Sequence, residues 1–232
     1  MTIKAVFFDA AGTLIKPRRE VGESYVNFAA KYHIDVTTEE ISERFRSCFE
    51  CAPRLAFPDA TDRTIGTLER EWWKRLVAEI FRPWSPMARF DDFFDELFGY
   101  FAQPGAWTLY PEVIETLDEL RQRGLILSVI SNFDSRLVQI LNGLGIGSSF
   151  RDIFVSSRVG YAKPDHKMFH AVLERYALEP EESLHVGDSE INDRRGANDA
   201  GMRGLLVDRR KAPDAADPNL LTSLKSIIGL LE

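Results

Sequence analysis

The sequence predicts an α/β fold, in which helices cover both faces of a mainly parallel sheet and an all-helical segment is inserted after the first strand. From about Trp107 onward, apolar runs of strand length alternate with helical patterns. Before that point, from Lys16 to about Gly105, the patterns are helical. Because alternating strands and helices form parallel sheets, the first strand and the second half of the chain should build one sheet.

The predicted strands are apolar runs that are too short for helices. They cover residues 6–8, 125–130, 153–155, 184–186 and 205–207. The clearest helix between them covers residues 112–123, with Pro111 at its start and Gly124 just past its end, as these residue types prefer. The core domain is therefore expected to comprise residues 1–15 and 106–232.

The inserted segment, residues 16–105, is expected to form a helical domain of its own. Helical patterns cover residues 24–32, 39–49, 65–81 and 91–101. The dipeptides Lys16-Pro17 and Pro104-Gly105 mark its ends and suit hinges. The insertion has an aromatic character, to which these residues contribute: Trp72, Trp73, Phe90, Phe93, Phe94, Phe98 and Phe101. We expect them to pack inside the insertion rather than to line a substrate pocket.

Bulk composition excludes several classes of partner. The 232 residues are 44% hydrophobic and 28% charged, which is typical of a globular protein with a packed core. The formal net charge of -7, with basic residues scattered among acidic ones, offers no surface for a nucleic-acid backbone. No apolar run approaches membrane-spanning length, and the start of the chain leads directly into a short strand. We therefore expect no nucleic-acid or membrane partner and a cytoplasmic location.

The only cysteines, Cys48 and Cys51, form a CxxC pair inside a predicted helix. A redox pair or half of a metal site would need electropositive surroundings or a second pair of ligands, and the sequence shows neither. We interpret both cysteines as incidental packing residues.

Candidate chemistry begins at the end of the first strand, where residues 9–14 read Asp-Ala-Ala-Gly-Thr-Leu. Open α/β sheets bind ligands at the carboxyl ends of their strands, and this is where Asp9 is expected. Taken alone, the pattern fits a buried aspartate that holds a turn equally well.

Two further turns carry groups that suit an anionic substrate. Residues 131–134, Ser-Asn-Phe-Asp, follow a predicted strand, and a hydroxyl with backbone N–H groups can hold a phosphoryl oxygen there. Lys163, in the segment Ala-Lys-Pro-Asp, can neutralise an anionic substrate and a nucleophile together. An ordinary turn and a solvated lysine before a proline are the alternative interpretations.

The last motif, residues 185–193, reads His-Val-Gly-Asp-Ser-Glu-Ile-Asn-Asp. Asp188 directly follows a predicted strand, and Asp193 lies at the start of a predicted helix. Hard oxygen ligands spaced in this way suit Mg²⁺. His185 lies within the strand, and we interpret it as a core residue rather than a catalytic one. Four such motifs in a fixed order, each at the end of a strand, are hard to produce by chance.

On these motifs the sequence resembles the haloacid dehalogenase superfamily, over residues 2–14 and about 107–231. The resemblance implies a Rossmann-like, doubly wound parallel sheet as the core and a helical C1-type cap as the insertion. It also implies that Asp9 and Asp188 follow neighbouring strands. The implied activity is hydrolysis of a small phosphorylated substrate through an aspartyl phosphate on Asp9, with Mg²⁺ as the cofactor.

The resemblance implies a role for each matching residue. Asp9 is the catalytic nucleophile, and Ser131 and Lys163 are catalytic residues that bind the transferring group. Asn132 and Thr13 complete the implied substrate-binding set, with Thr13 bracing the nucleophile loop. The implied ligands of Mg²⁺ are Asp9, the Ala11 backbone carbonyl, Asp188 and Asp193.

Ala11 departs from the family pattern, because most phosphatases of this family carry a second aspartate at that position. Alanine can still offer its carbonyl to Mg²⁺, but it cannot exchange protons. General acid–base catalysis typically contributes about 10²–10⁴-fold in rate, which corresponds to about 3–5 kcal/mol of barrier. Loss of this contribution would be enough to abolish the activity of a slow phosphatase.

Three classes of function remain open. The first is phosphoryl transfer, either from a substrate whose leaving group needs no proton or with a replacement acid in the cap. The second is carbon–phosphorus cleavage, because phosphonatases of this family also have alanine at this position; it requires a cap lysine, for which Lys31 and Lys74 are the candidates. The third is a non-catalytic binding or regulatory protein. We rank phosphatase-like hydrolysis first and the non-catalytic class second, and we disfavour dehalogenation because those members use no metal.

Overall fold

The computed structural model describes residues 2–212, 214 and 216–231. Its strands are β1 (Ala5–Phe8), β2 (Ile15–Pro17), β3 (Trp107–Leu109), β4 (Ile126–Ser131), β5 (Ile153–Val155), β6 (Ser183–Gly187), β7 (Arg203–Val207) and β8 (Leu220–Leu221). Within the described residues, six of them form a parallel sheet in the order β5-β4-β1-β6-β7-β8. The predicted α/β architecture is confirmed, and all five predicted strands are present.

The α-helices are α1 (Val21–Lys31), α2 (Thr38–Cys51), α3 (Ile65–Ile80), α4 (Phe90–Ala102), α5 (Val113–Gln122), α6 (Arg136–Gly143), α7 (Ser156–Val159), α8 (His166–Tyr176), α9 (Gly196–Asp199) and α10 (Ser226–Gly229). The four helices predicted for the insertion correspond to α1 to α4, with ends that differ by three residues or fewer. None of the helices in the described part of the chain has the length and apolarity that a membrane crossing requires.

Helices cover both faces of the main sheet. Successive side chains of a strand point to opposite faces, so neighbouring residues of β1 pack against different helices. Val6 and Phe8 pack in the cluster that contains α5, α6 and α10. Ala5 and Phe7 pack on the other face, against α8 and α9. All four side chains are fully buried, which places β1 at the centre of the core.

The strand register brings the sequence motifs to one edge of the sheet. β1 lies between β4 and β6, and Phe8 is opposite both Val129 and Val186. Parallel strands that are paired in this way end side by side. The prediction that Asp9 and Asp188 follow neighbouring strands is therefore confirmed.

The helical insertion has its own apolar cluster, separate from the two clusters of the core. Tyr25, Ile80, Phe93 and Phe94 are buried in it, and most of the other aromatic residues of the segment pack around them. This agrees with the expectation that the aromatic residues pack mainly with one another. Trp72 packs against this cluster and also lines the cavity described below.

The insertion joins the core through a short antiparallel ribbon that the sequence analysis missed. β2 pairs with β3, with Lys16 opposite Thr108 and Pro17 opposite Trp107. The expectation that the chain from Lys16 onward is purely helical is wrong at this point. Strands of three residues show no periodicity, and their partners lie about 90 residues apart, so local patterns did not reveal them.

Candidate active site

Asp9 lies directly after β1, where the strand gives way to a tight loop. Its backbone N–H donates to the Val186 carbonyl over 2.9 Å, and the residue is only 7% exposed. The loop closes because the Ala10 carbonyl accepts hydrogen bonds from the N–H groups of residues 13, 14 and 15. Gly12 has a φ of +94°, and a Cβ there would lie 2.2 Å from Asp188 Oδ2. Glycine at this position therefore allows the loop to approach Asp188.

One oxygen of the Asp9 carboxylate is held, and the other is not. Oδ1 accepts hydrogen bonds from Lys163 Nζ over 2.8 Å and from Ser131 Oγ over 3.1 Å. Among the described residues, no donor reaches Oδ2. Burial raises the pKa of the Asp9 carboxyl, and the adjacent Lys163 ammonium opposes that shift. The arrangement leaves Oδ2 available to attack a substrate or to bind a cation.

Lys163 is 1% exposed and lies between two carboxylates. Its ammonium contacts Asp9 and also Asp193 Oδ1, over 2.5 Å. Burial alone would disfavour the ammonium, but Asp193 and Asp9 outweigh it and raise the pKa of Lys163. The lysine therefore stays charged.

Asn132 fixes the backbone of Lys163. Its side-chain Nδ2 donates to the Lys163 carbonyl, and its Oδ1 accepts from the Lys163 N–H, both over 2.8 Å. The amide group predicted to bind substrate is thus engaged in positioning Lys163. A contact between Asn132 and substrate stays a prediction.

Asp193 is held by three groups. Besides Lys163, the ring of His185 contacts Oδ1 through Nε2 over 2.9 Å, and the Ser189 N–H donates to Oδ2 over 3.0 Å. Burial would raise the pKa of Asp193, but Lys163 and His185 outweigh it and hold the pKa below its usual range. Gly187 provides the space, since a Cβ there would lie 2.0 Å from Asp193 Cγ.

His185 has a role that the sequence analysis missed. The ring is fully buried in β6 and packs against Phe169, as expected of a core residue. Burial lowers the pKa of His185, so the ring is neutral and can donate its Nε2 proton to Asp193. No local pattern distinguishes this contact from plain packing, because the partner lies eight residues away on another element.

Asp188 completes a cluster of three carboxylates. Oxygens of Asp9, Asp188 and Asp193 lie within 4.8 Å of one another. Partial desolvation and, to a smaller extent, repulsion from Asp9 and Asp193 raise the pKa of Asp188 to about 7. With Asp188 ionised, three carboxylates face one ammonium, which leaves two negative charges uncompensated. Such a donor set fits a divalent, oxygen-seeking cation such as Mg²⁺.

A cavity of about 710 Å³ opens over these residues. Asp9, Ala11, Ser131 and Lys163 line its floor together with Asp188 and Asp193, so the structure brings most of the predicted site residues together. Its roof comes from the insertion and was not predicted. The roof residues are Phe49, Glu50, Ala52, Pro53, Arg54, Leu55 and Trp72.

Thr13 lies apart from this cavity. It is fully buried, and its hydroxyl meets no partner among the described residues. Its N–H donates to the Ala10 carbonyl over 3.2 Å, so Thr13 contributes to the turn that carries Asp9. The contact with substrate that we predicted for Thr13 stays a prediction.

Neither candidate lysine of the insertion reaches Asp9. Lys31 pairs with Glu96 over 2.8 Å, and Lys74 pairs with Asp91 over 2.9 Å. Both residues are absent from the described lining of the cavity. Carbon–phosphorus cleavage through a Schiff base therefore has no lysine in place. Cys48 packs at the edge of the aromatic cluster and Cys51 is exposed, and both are free.

Two curated proteins show how far the sequence similarity extends. Haloacid dehalogenase-like hydrolase domain-containing protein 3 from Mus musculus is 33% identical over 246 residues, covering 100% of this chain and 95% of the mouse protein. A phosphoserine phosphatase from Thermus thermophilus is 37% identical over 124 residues, covering 52% of this chain and 50% of that protein.

Solved structures share the fold. A magnesium-bound structure of YfnB from Bacillus subtilis matches with a TM-score of 0.72 at 18% identity and covers 100% of both chains. At this identity the similarity shows the fold alone. The sequence profile of haloacid dehalogenase-like hydrolases matches residues 3–201, a span that contains all four motifs. The chain therefore belongs to the haloacid dehalogenase-like hydrolase family.

Proposed function

We propose that this chain is a Mg²⁺-dependent hydrolase of a small phosphorylated substrate and that it acts through an aspartyl phosphate on Asp9. The observation that carries the proposal is the state of the Asp9 carboxylate. Lys163 and Ser131 hold Oδ1, while Oδ2 meets no described donor and lies in a cluster with two uncompensated negative charges. The partial similarity to a phosphoserine phosphatase supports phosphoryl chemistry.

The proposed reaction has two steps at Asp9. In the first, a carboxylate oxygen attacks phosphorus, and the bond from phosphorus to the leaving group breaks. In the second, water attacks phosphorus, and the bond to Asp9 breaks, which releases inorganic phosphate. Lys163 offsets negative charge as the phosphoryl group approaches, and Ser131 keeps the carboxylate oriented.

Mg²⁺, when bound, neutralises the oxygens of the transferring phosphoryl group. Asp9, Asp188, Asp193 and the Ala11 carbonyl would hold it. The chain's own contribution is to orient these groups: Gly12 and the Ala10 hydrogen bonds shape the loop at Asp9, and His185 steadies Asp193.

Trapping the intermediate tests the proposal. Wild-type protein and Asp9→Asn are incubated with Mg²⁺ and one of several probes: 4-nitrophenyl phosphate, acetyl phosphate, an alkyl phosphate or 2-chloropropionate. We expect acid quenching to recover an acid-stable, hydroxylamine-sensitive phosphoryl group on the wild type and none on Asp9→Asn. If no phosphate compound labels Asp9 in the presence of Mg²⁺, the chain is a binding protein or acts on another bond.

A further inference from the structure

The proposed reaction lacks an acid–base group on the core, because Ala11 stands where a carboxylate would act. The residues that line the cavity include four carboxyl groups: Asp9, Glu50, Asp188 and Asp193. Asp9 is the nucleophile, Asp188 belongs to the cation site, and both oxygens of Asp193 are hydrogen-bonded. Glu50 is the carboxyl group of the described lining that has no assigned role.

The cationic residues of the cavity do not fit an acid–base role. A guanidinium has donors and no acceptor, so Arg54 cannot take up a proton from water. Lys163 is held between two carboxylates that stabilise its charged form. A group that both releases and accepts a proton therefore has to be a carboxyl group, which leaves Glu50.

Glu50 is free to meet a substrate. It lies in the last turn of α2 and is exposed. No hydrogen bond or ion pair joins its carboxyl group to any other residue in the described part of the chain. An unpaired carboxylate in the wall of a reaction cavity can accept a proton without first losing a partner.

The segment that follows α2 is bonded both to the core and to another residue of the roof. Ser156 Oγ donates to the Leu55 carbonyl over 2.6 Å, and Arg54 donates to the Lys163 carbonyl over 3.3 Å. Trp72 Nε1 donates to the Pro53 carbonyl over 2.9 Å. These contacts hold the segment directly after α2, and Glu50, three residues before Pro53, lies in the wall of the cavity.

We propose that Glu50 is the acid–base residue of this chain and replaces the carboxylate that is missing at Ala11. The proposal rests on the aspartyl phosphate at Asp9. When the substrate is an ester, Asp9 attacks phosphorus, the bond to the leaving oxygen breaks, and the Glu50 carboxyl donates its proton to that oxygen. Water then attacks phosphorus and gives its proton to the Glu50 carboxylate while the bond to Asp9 breaks. Both residues return to their starting states.

Because Glu50 belongs to the insertion, proton transfer depends on the insertion lying over the core. The first step with 4-nitrophenyl phosphate needs no proton, since nitrophenolate leaves without help. Hydrolysis of the aspartyl phosphate needs the base for every substrate. Loss of the Glu50 carboxyl group should therefore leave the rate of the first step with this substrate unchanged and slow the second step.

Rapid mixing of Glu50→Gln with 4-nitrophenyl phosphate tests this inference. We expect a nitrophenolate burst at the wild-type rate, followed by steady-state turnover slower by about 10²-fold or more, with phosphoenzyme accumulating. Glu43→Gln, an exposed position on the same helix, is the matched control and should behave as wild type. Adding Ala11→Asp to Glu50→Gln should restore about 10²-fold in turnover, a rescue that a merely structural defect would not show.

Three outcomes would overturn the inference. Wild-type turnover in Glu50→Gln, with Asp9 still phosphorylated, would refute the role of Glu50 and leave the aspartyl phosphate intact. Loss of the burst in Glu50→Gln would show that Glu50 acts in binding or folding instead. Absence of a phosphoenzyme in the wild type would overturn the proposed function and this inference together.

Discussion

Among individual residues, charge balance explains the arrangement of the site. Lys163 compensates only part of the charge of Asp9, Asp188 and Asp193, which lie within 4.8 Å of one another. Buried or crowded charges cost free energy unless they are paired. The metal-free protein therefore carries an electrostatic cost, which is reflected in the pKa of Asp188, raised to about 7.

Asp188→Asn should stabilise the metal-free protein at pH 8 and have little effect at pH 4. The pKa of Asp188 is about 7 in the folded chain, against about 4 in an unfolded one. A raised carboxyl pKa means that the folded state loses stability as pH rises from about 4 to about 7, and the cost is constant above that range. Asparagine removes the charge and hence the cost.

Thermal unfolding in EDTA across this pH range measures the effect of Asp188→Asn. The melting temperature of the variant should exceed that of the wild type by a margin that grows up to pH 7 and then levels. A margin independent of pH would mean that the gain comes from packing and not from the charge.

Lys163→Met should destabilise the metal-free protein strongly. The substitution leaves Asp9 and Asp193 buried without their shared cation. Breaking a buried ion pair by removing one partner costs about 3–5 kcal/mol. Urea unfolding at pH 7 in EDTA measures the loss, with Lys211→Met, at an exposed position, as the control. A loss below about 1 kcal/mol would show that the two carboxylates are protonated or solvated.

Among the secondary-structure elements, α3 holds the insertion against the core. Glu69 on α3 is 4% exposed, and its Oε1 accepts hydrogen bonds from the Ser135 N–H, Ser135 Oγ and Ser157 Oγ. One turn later, Trp73 Nε1 donates to Asp134 Oδ2 over 2.6 Å. Trp72 and Phe133, next to Trp73 and Asp134 in the chain, line the cavity, so these contacts join its roof to the core.

Glu69→Ala should loosen the roof of the cavity. The substitution leaves three donors without their acceptor, and an unsatisfied buried donor costs about 1–3 kcal/mol. Since about 1.4 kcal/mol is tenfold in an equilibrium constant, the open state should gain about 10-fold or more in population. Hydrogen exchange of the amides in residues 52–58 should speed up accordingly.

Glu71→Ala is the control for Glu69→Ala, because Glu71 is exposed on the same helix. Exchange within α5 and β4 reports on the core and should not change in either variant. Equal acceleration in the insertion and the core would indicate general destabilisation and would contradict a local role for Glu69.

In the whole molecule, the cavity lies between the core and the insertion, which meet at the β2–β3 ribbon and at the contacts of α3. The core supplies Lys163 and the cluster of Asp9, Asp188 and Asp193, and the insertion supplies the roof of the cavity. The apolar clusters of the core are separate from that of the insertion. A movement of the insertion relative to the core would therefore leave the internal packing of both intact. Such a movement about the ribbon would admit substrate and then exclude water.

Mg²⁺ should stabilise the whole molecule against unfolding. A ligand that binds only the folded state at 100 times its dissociation constant adds about 2.7 kcal/mol, which for a chain of this size raises the melting temperature by about 5–10 °C. Asp188→Ala should abolish the shift, because it removes one of the converging carboxylates. An undiminished shift in Asp188→Ala would place the cation elsewhere.

The sequence by itself was enough to predict the α/β class, five of the six strands of the main sheet, the helical insertion and the floor of the site; β8, with two residues, was missed. These features depend on local periodicity and on the rule that parallel strands end at one edge, and both can be read from short segments. Asp9, Ser131, Lys163, Asp188 and Asp193 were predicted for this reason.

The tertiary structure alone decided the contacts between segments that lie far apart in the chain. The β2–β3 ribbon, the clamp of Asn132 on the Lys163 backbone and the hydrogen bond from His185 to Asp193 have no local pattern. No local pattern predicts that Glu50 and Arg54 lie in the roof of the cavity. Helix periodicity shows which side of α2 is apolar, but it does not show which surface of the core the end of α2 covers. Only packing of the insertion on the core determines which of its polar residues line the cavity.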